Sequence, residues 1–307
     1  MTSELERIAR LARAFAAGGE GIEVGIGDDA AVLATGGERI VWTIDAQVEG
    51  THFRRDFVSW HDIGWRATMA AASDLAAMGA RPWCALAALV LSDDVGDEAF
   101  DAIAAGQRAA SDAIGAPIVG GNLARGRETS ISTTFLGRAA RPVRRSGARV
   151  GDVLWLAGEV GLAAAGLRAL VGGVHDAAVA LAIDRWRRPR ALVDAGLAMA
   201  DHAHAAIDVS DGLARDASHV ALASGVCIAI DAAALRTPPL CDAARALGVD
   251  PIELALHGGE DYALVVAAAA PIDGFARIGE ARAGTGVVLV DAGAERAITP
   301  RGYDHFA

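Results

Sequence analysis

The chain has 307 residues, enough for two domains of ordinary size, and 53% of them are hydrophobic, much of that fraction alanine. Its formal net charge of −11 disfavours nucleic acids and anionic membranes, which require a basic face, and its apolar runs fall well short of the roughly 20 residues that span a bilayer. All 28 cationic residues are arginine, which excludes a Walker-A lysine, a protein-kinase lysine and Schiff-base chemistry.

At the start, Ser3 precedes Glu6 as in a capping box, and Leu5, Ile8, Leu11 and Phe15 follow at helical spacing. This reads as a mature helix with no signal peptide. Cys84, Cys227 and Cys241 show no paired spacing, so reduced thiols in a cytoplasm are expected. "GIGDDAAVL" (25–33) then sets two like charges, Asp28 and Asp29, side by side in a glycine loop. Adjacent carboxylates repel, and a solvated turn is the simplest account of them. "RIVWTIDAQVEG" (39–50) alternates as a strand does, which points Thr43 and Asp45 to the same side.

Residues 62–82 predict a helix running from an Asp62 cap to Gly79, with Asp74 in an alanine-rich, close-packing stretch. "PWCALAALVL" (82–91) predicts a buried strand, 96–114 a second helix, and 117–138 a strand, a glycine turn and another strand. The arginine-rich, proline-containing stretch 138–152 is the best boundary, giving domains 1–140 and 141–307. In the second unit, "GDVLWLAGEVGLAAAGL" reads as strand, turn and helix. "HAAIDVSDGLARDASHVALASG" reads as a strand end, an acidic turn and a helix closed by Gly225, and "CIAID" and "YALVVAA" are further strands.

Taken alone, Asp211 reads as the N-cap of a helix beginning at Gly212, Asp74 as a half-exposed helix residue, and Asp45 as a strand end. Taken together with Asp29 and Asp208, they form an oxygen-rich set suited to Mg²⁺, which shares its shell with phosphates and water. Glycines in "GIGDD", "GGN" and "LHGGEDY" would let backbone amides approach phosphate oxygens.

Eight motifs, "GIGDDAAVL", "TIDAQVEGTHF", "SDLAAMGARP", "GGNLARG", "RRSGARVGD", "AIDVSDGL", "GGEDY" and "GYDHF", resemble in order and spacing those of the thiamine-monophosphate kinases, over nearly the whole chain. These belong with the aminoimidazole ribonucleotide synthetase-like ATP-binding enzymes. The resemblance implies an α+β protein of two α/β-type domains. The N-terminal domain would bind ATP and Mg²⁺, and its mixed sheet would pair across a homodimer into a barrel-like interface. The C-terminal domain, a sheet covered by helices, would complete the active site.

It also implies metal ligands at Asp29, Thr43, Ile44, Asp45, Asp74, Asn122, Asp208 and Asp211, with Asp28 as a water-bridged neighbour. Asp74, Asp208 and Asp211 would be catalytic. ATP would meet Gly121, Asn122, Arg145 and Ser210, and thiamine monophosphate His52, Glu260 and Tyr303. Two positions depart from the family. Asn122 stands where it usually has Asp, and Ile44 where it usually has a hydroxyl residue. The implied reaction is direct ATP-dependent phosphorylation of thiamine monophosphate to thiamine diphosphate. The alternatives are another synthetase of the same superfamily or a non-catalytic nucleotide- and metal-binding paralogue.

Overall fold

The computed structural model describes residues 4–14 and 21–301. Its first part holds α1 (Glu4–Ala14), β1 (Ile22–Val24), β2 (Ala31–Leu33), β3 (Arg39–Val48), α2 (Trp60–Ala77), β4 (Arg81–Leu91), α3 (Asp97–Ile114), β5 (Ile118–Arg125) and β6 (Ser130–Ala139). The strands form a mixed sheet in the order β1-β2-β3-β6-β4-β5, in which β4 and β5 pair in parallel. Helix α2 lies across β3 and β6, and α3 packs on α2. The two helices meet closely because both carry glycine at the crossing. A Cβ on Gly64 would stand 2.1 Å from the Ile103 carbonyl oxygen, and one on Gly106 would stand 1.8 Å from that of His61.

The second part begins with β7 (Val153–Ala157), α4 (Leu162–Gly172), α5 (Ala177–Arg187), α6 (Val193–Met199), β8 (Ala205–Asp208) and α7 (Leu213–Ser224). It continues with β9 (Cys227–Asp231), α8 (Ala232–Leu235), α9 (Pro238–Leu247), α10 (Pro251–His257), β10 (Leu264–Ala268), β11 (Ala276–Arg282), β12 (Gly286–Asp291) and β13 (Ala294–Ala297). Its sheet runs β13-β12-β9-β11-β7-β10-β8, antiparallel except where β12 joins β9. Strands β8, β9 and β10 are almost wholly buried, as expected of a sheet covered on both faces. No single helix among the described residues is long and apolar enough to cross a membrane.

Helix α2 belongs to both parts. Its Ala76 and Ala77 share a buried cluster with Ala206 of β8, Leu264 and Val266 of β10, and Met199 of α6. Only glycine fits at the α6 contact, where a Cβ on Gly196 would stand 2.2 Å from the Ala76 carbonyl oxygen.

Several expectations change. The N-cap of α2 is Ser59, whose Oγ accepts the Asp62 N–H at 3.1 Å, so Asp62 sits in the first turn and is not the cap. Strand β4 is buried on one face only, with Trp83 and Leu86 each about half exposed. "GGN" lies inside β5, and the turn follows it. Ser3 and Phe15 fall outside the described residues.

Candidate active site

Segments of both parts converge on one cleft of about 890 Å³ between them, among them β3, α2, the end of β8, the loop after it and the loop from Gly258 to Tyr262, with α4 and α10 along the wall. Alternation along β3 turns Val41, Thr43 and Gln47 toward α2, which lies over that face, and Asp45 falls on the same side. Thr43 Oγ1 donates a short hydrogen bond to Asp74 Oδ2. The next residue of α2, Ser73, donates to Asp208 Oδ2 at 2.6 Å. The acidic loop is held from the other side. Arg145 donates through Nε and Nη2 to Asp29 Oδ1 at 2.8 and 2.5 Å, and its backbone N–H meets Asp28 Oδ1 at 3.2 Å.

These contacts bring one carboxylate oxygen each of Asp29, Asp74 and Asp208 within 4.8 Å of one another. Burial pushes Asp29 up to about 7 against the pull of Arg145, with the Asp208 charge adding to the rise. Burial raises Asp74 well above the usual carboxylate range, and the charges of Asp208 and Asp29 add to it. Asp208 is also raised by burial, against the Ser73 hydrogen bond. Asp29 Oδ2 is buried without a hydrogen-bond partner. Three desolvated carboxylates facing one guanidinium, with an orphaned oxygen among them, fit a divalent cation and its preference for oxygen. The pairing of Asp28 and Asp29 is thereby explained by division of labour: Asp28 binds the Arg145 backbone, and Asp29 faces the cluster.

The loops after β8 and before β10 are tied together. The N–H groups of Glu260 and Tyr262 donate to the carbonyls of Ser210 and Val209 at 2.8 and 2.9 Å. Glu260 and Tyr262 have φ of 64° and 50°, a left-handed backbone uncommon outside glycine and frequent at functional sites. Asp211 is not the cap of α7. The cap residue is Gly212, without a side-chain bond, and Asp211 lies at the cleft paired with Arg215 at 3.4 Å.

Sequence reasoning missed Asp216 in the first turn of α7. Its Oδ2 accepts the N–H groups of Asp211 and Gly212 at 3.1 and 3.0 Å and so shapes the acidic turn. It stands four positions after Gly212 in "SDGLARD", an acid in the first turn of the helix that was there to be read. Arg66 and Trp186 were also missed. Both bond to Glu260 from remote segments, so no local pattern marks them.

His52 and Glu260 line the cleft, as do Asp45, Ser210 and Asp211. Ile44 lies at its rim with its side chain 68% exposed on the opposite face of the sheet. Gly121 and Asn122 are exposed on β5, and the register Ala46–Ser132–Ala88–Asn122 sets Asn122 on that same outer face, three strands away from β3. Within one chain Asn122 does not join the acidic cluster. Tyr303 lies outside the described residues. The Arg301 carbonyl before it accepts from His257 Nδ1 at 2.9 Å, on the cleft wall.

Residues 27–139 match the family model of the AIR synthase related protein N-terminal domain, and residues 149–298 that of its C-terminal domain. The thiamine-monophosphate kinase of Mycobacterium tuberculosis is 39% identical over 87% of this chain and 82% of its own. That of Aquifex aeolicus is 33% identical over 92% of both. Among solved structures, AaThiL complexed with AMPPCP and TMP superposes with a TM-score of 0.90 at 31% identity, covering 99% of this chain and 97% of that one. With two domains of mixed sheet and helix, and with relatives of this identity along nearly its whole length, the chain belongs to the thiamine-monophosphate kinase family of AIR synthase related proteins.

Proposed function

We propose that the protein transfers the γ-phosphoryl group of ATP to the phosphate of thiamine monophosphate, giving thiamine diphosphate and ADP. The observation that carries this reading is the group of three desolvated carboxylates at one end of a two-domain cleft large enough for two ligands. The AaThiL complex, named for an ATP analogue and TMP together, supports it.

The acceptor phosphate is already anionic near neutral pH, its second pKa being about 6, so no strong general base is needed. Asp29, Asp74 and Asp208 would hold Mg²⁺, with Thr43, Asp45 and Asp211 beside them. Bound Mg²⁺ offsets the repulsion between donor and acceptor phosphates. Arg145 keeps the acidic loop in place and, with Ser210, meets the nucleotide. His52 and Glu260 take the acceptor's organic part, orienting its phosphate for in-line attack in a ternary complex.

We further propose a homodimer in the cytoplasm, with residues 1–140 dimerising and binding ATP, and 141–307 completing the site. The outer face of the first sheet supports the dimer: Trp42, Ile44 and Leu86 lie there, from 48% to 68% exposed. Asn122 shares that face, so it would reach a metal only in the site of a second copy. The three free thiols support a reducing compartment.

A coupled ADP-release assay with thiamine monophosphate as acceptor tests the function, with thiamine diphosphate confirmed as product. Turnover with formylglycinamidine ribonucleotide or selenide instead would assign another synthetase. ATP binding without any turnover would assign a non-catalytic paralogue.

A further inference from the structure

Glu260, on the cleft wall, is held at both carboxylate oxygens. Arg66 Nη2 donates to its Oε1 at 2.5 Å, and Trp186 Nε1 donates to its Oε2 at 2.6 Å. The three residues come from α2, α5 and the loop before β10. Arg66 is 1% exposed and Trp186 2%, while the Glu260 side chain keeps 23% of its surface open. Arg66 has further ties: it donates to the Trp186 carbonyl and, at 3.3 Å, to that of His52, and its guanidinium lies 4.7 Å from the Trp186 ring centroid.

We propose that Arg66 and Trp186 are positioning residues for the acceptor, fixing the Glu260 carboxylate where it meets the cationic thiazolium and the amino group of thiamine monophosphate. The inference rests on the function proposed above and names the residues that make its acceptor site selective.

A free glutamate side chain samples many rotamers and must lose that freedom on binding. Here one donor on each oxygen removes it beforehand, and each oxygen retains a lone pair for the ligand. A bidentate hold by charged and indole donors also keeps the carboxylate in one plane. Glu260 also sits in a left-handed backbone, φ 64°, of the kind that persists only where its surroundings hold it. Since Arg66 also binds the His52 carbonyl, the same guanidinium sets the spacing of two residues that line the cleft.

The test compares wild type, W186F, E260Q and W186F/E260Q by steady-state kinetics, varying thiamine monophosphate and ATP separately. W186F keeps an aromatic ring at the site but removes the indole N–H together with part of the buried ring volume, so the cycle with E260Q is what isolates the hydrogen bond. The substitution is expected to raise the acceptor KM about tenfold, the scale of one lost charge-assisted hydrogen bond. KM for ATP and kcat should stay within about twofold, and W186F should add nothing once Glu260 is Gln.

A W186F effect that is equal on both substrates, or undiminished in the E260Q background, overturns the proposal. So does an unchanged acceptor KM in an active W186F enzyme. Should W186F fold poorly, R66K supplies the same readout, because it keeps the buried charge but loses the fork that joins Glu260 to the His52 carbonyl, and the same rise in acceptor KM over ATP KM is expected. A wild type that turns over no thiamine monophosphate overturns the functional reading and this proposal together, whereas an active wild type with a normal W186F overturns the proposal alone.

Discussion

Replacing Asp74 by Asn should stabilise the metal-free protein while abolishing turnover. The carboxylate oxygens of Asp29, Asp74 and Asp208 lie within 4.8 Å of one another. At an effective dielectric of about 20, each fully ionised pair at that distance costs about 3.5 kcal/mol. All three acids are raised above their usual range, so the cluster retains protons near neutral pH and only part of that repulsion is felt. Relieving part of one such pair is worth on the order of 1 to 3 kcal/mol. The amide oxygen of Asn still accepts from Thr43 Oγ1, so the local packing survives. In EDTA, Asp74→Asn should therefore melt roughly 2 to 6 °C above wild type by differential scanning fluorimetry. With Mg²⁺ at a hundredfold its Kd the wild type gains about 2.7 kcal/mol, the variant much less, and the order reverses. Turnover should fall by about a hundredfold or more, since the charge-neutralising cation is lost. A variant that melts below wild type in EDTA would show that the carboxylates do not strain the fold, and equal Mg²⁺ shifts in both proteins would remove Asp74 from the metal site.

Asp216→Ala should leave two backbone N–H groups of the acidic turn without an acceptor and lower kcat at least about tenfold, with Asp216→Asn intermediate; identical kinetics in both variants would separate Asp216 from the turn's geometry. His219 is pushed down to about 4 by burial and by the nearby Arg145 and Arg215 charges. Its folded pKa lies below the unfolded value of 6.5, so its contribution is complete above that value and is lost as pH falls toward about 4, by up to about 3 kcal/mol. His219→Gln should accordingly lose less stability than wild type between pH 7 and 4.5 in urea titrations, and parallel losses would contradict this. Leu86→Asp, on the exposed face of the first sheet, should turn the proposed dimer into a monomer in light scattering without unfolding it; an unchanged mass would overturn that interface.

Much of the site was legible because its carboxylates stand in short local patterns. The "AIDVSDGL" stretch folds as a strand end, an acidic turn and a helix closed by Gly225, and alternation alone set Thr43 and Asp45 on one side of β3. What stayed hidden depends on partners far along the chain. Asp29 meets Arg145 across 116 residues, Ser73 meets Asp208 across 135, and Arg66 meets Glu260 across 194. The place of Asn122 in the sheet was hidden for a related reason. Its motif says nothing about which face of β5 it occupies, and only the registers of β4 and β6 set it opposite the cluster. The cap of α2 was placed three residues late because Asp62 and Ser59 are both good cap residues and the choice lies in the hydrogen bond between them.

Helix α2 carries Arg66 near one end of the cleft and Ser73 and Asp74 near the other. At 1.5 Å of rise per residue, eight residues span about 12 Å along a rod that does not stretch. The helix thus acts as a gauge. Domain motion can bring Asp208 nearer or farther, but it cannot alter the interval between the Arg66 that anchors Glu260 and the Asp74 of the acidic cluster. An acceptor whose cationic ring and phosphate are separated by one methylene more or fewer would seat one end and leave the other out of line.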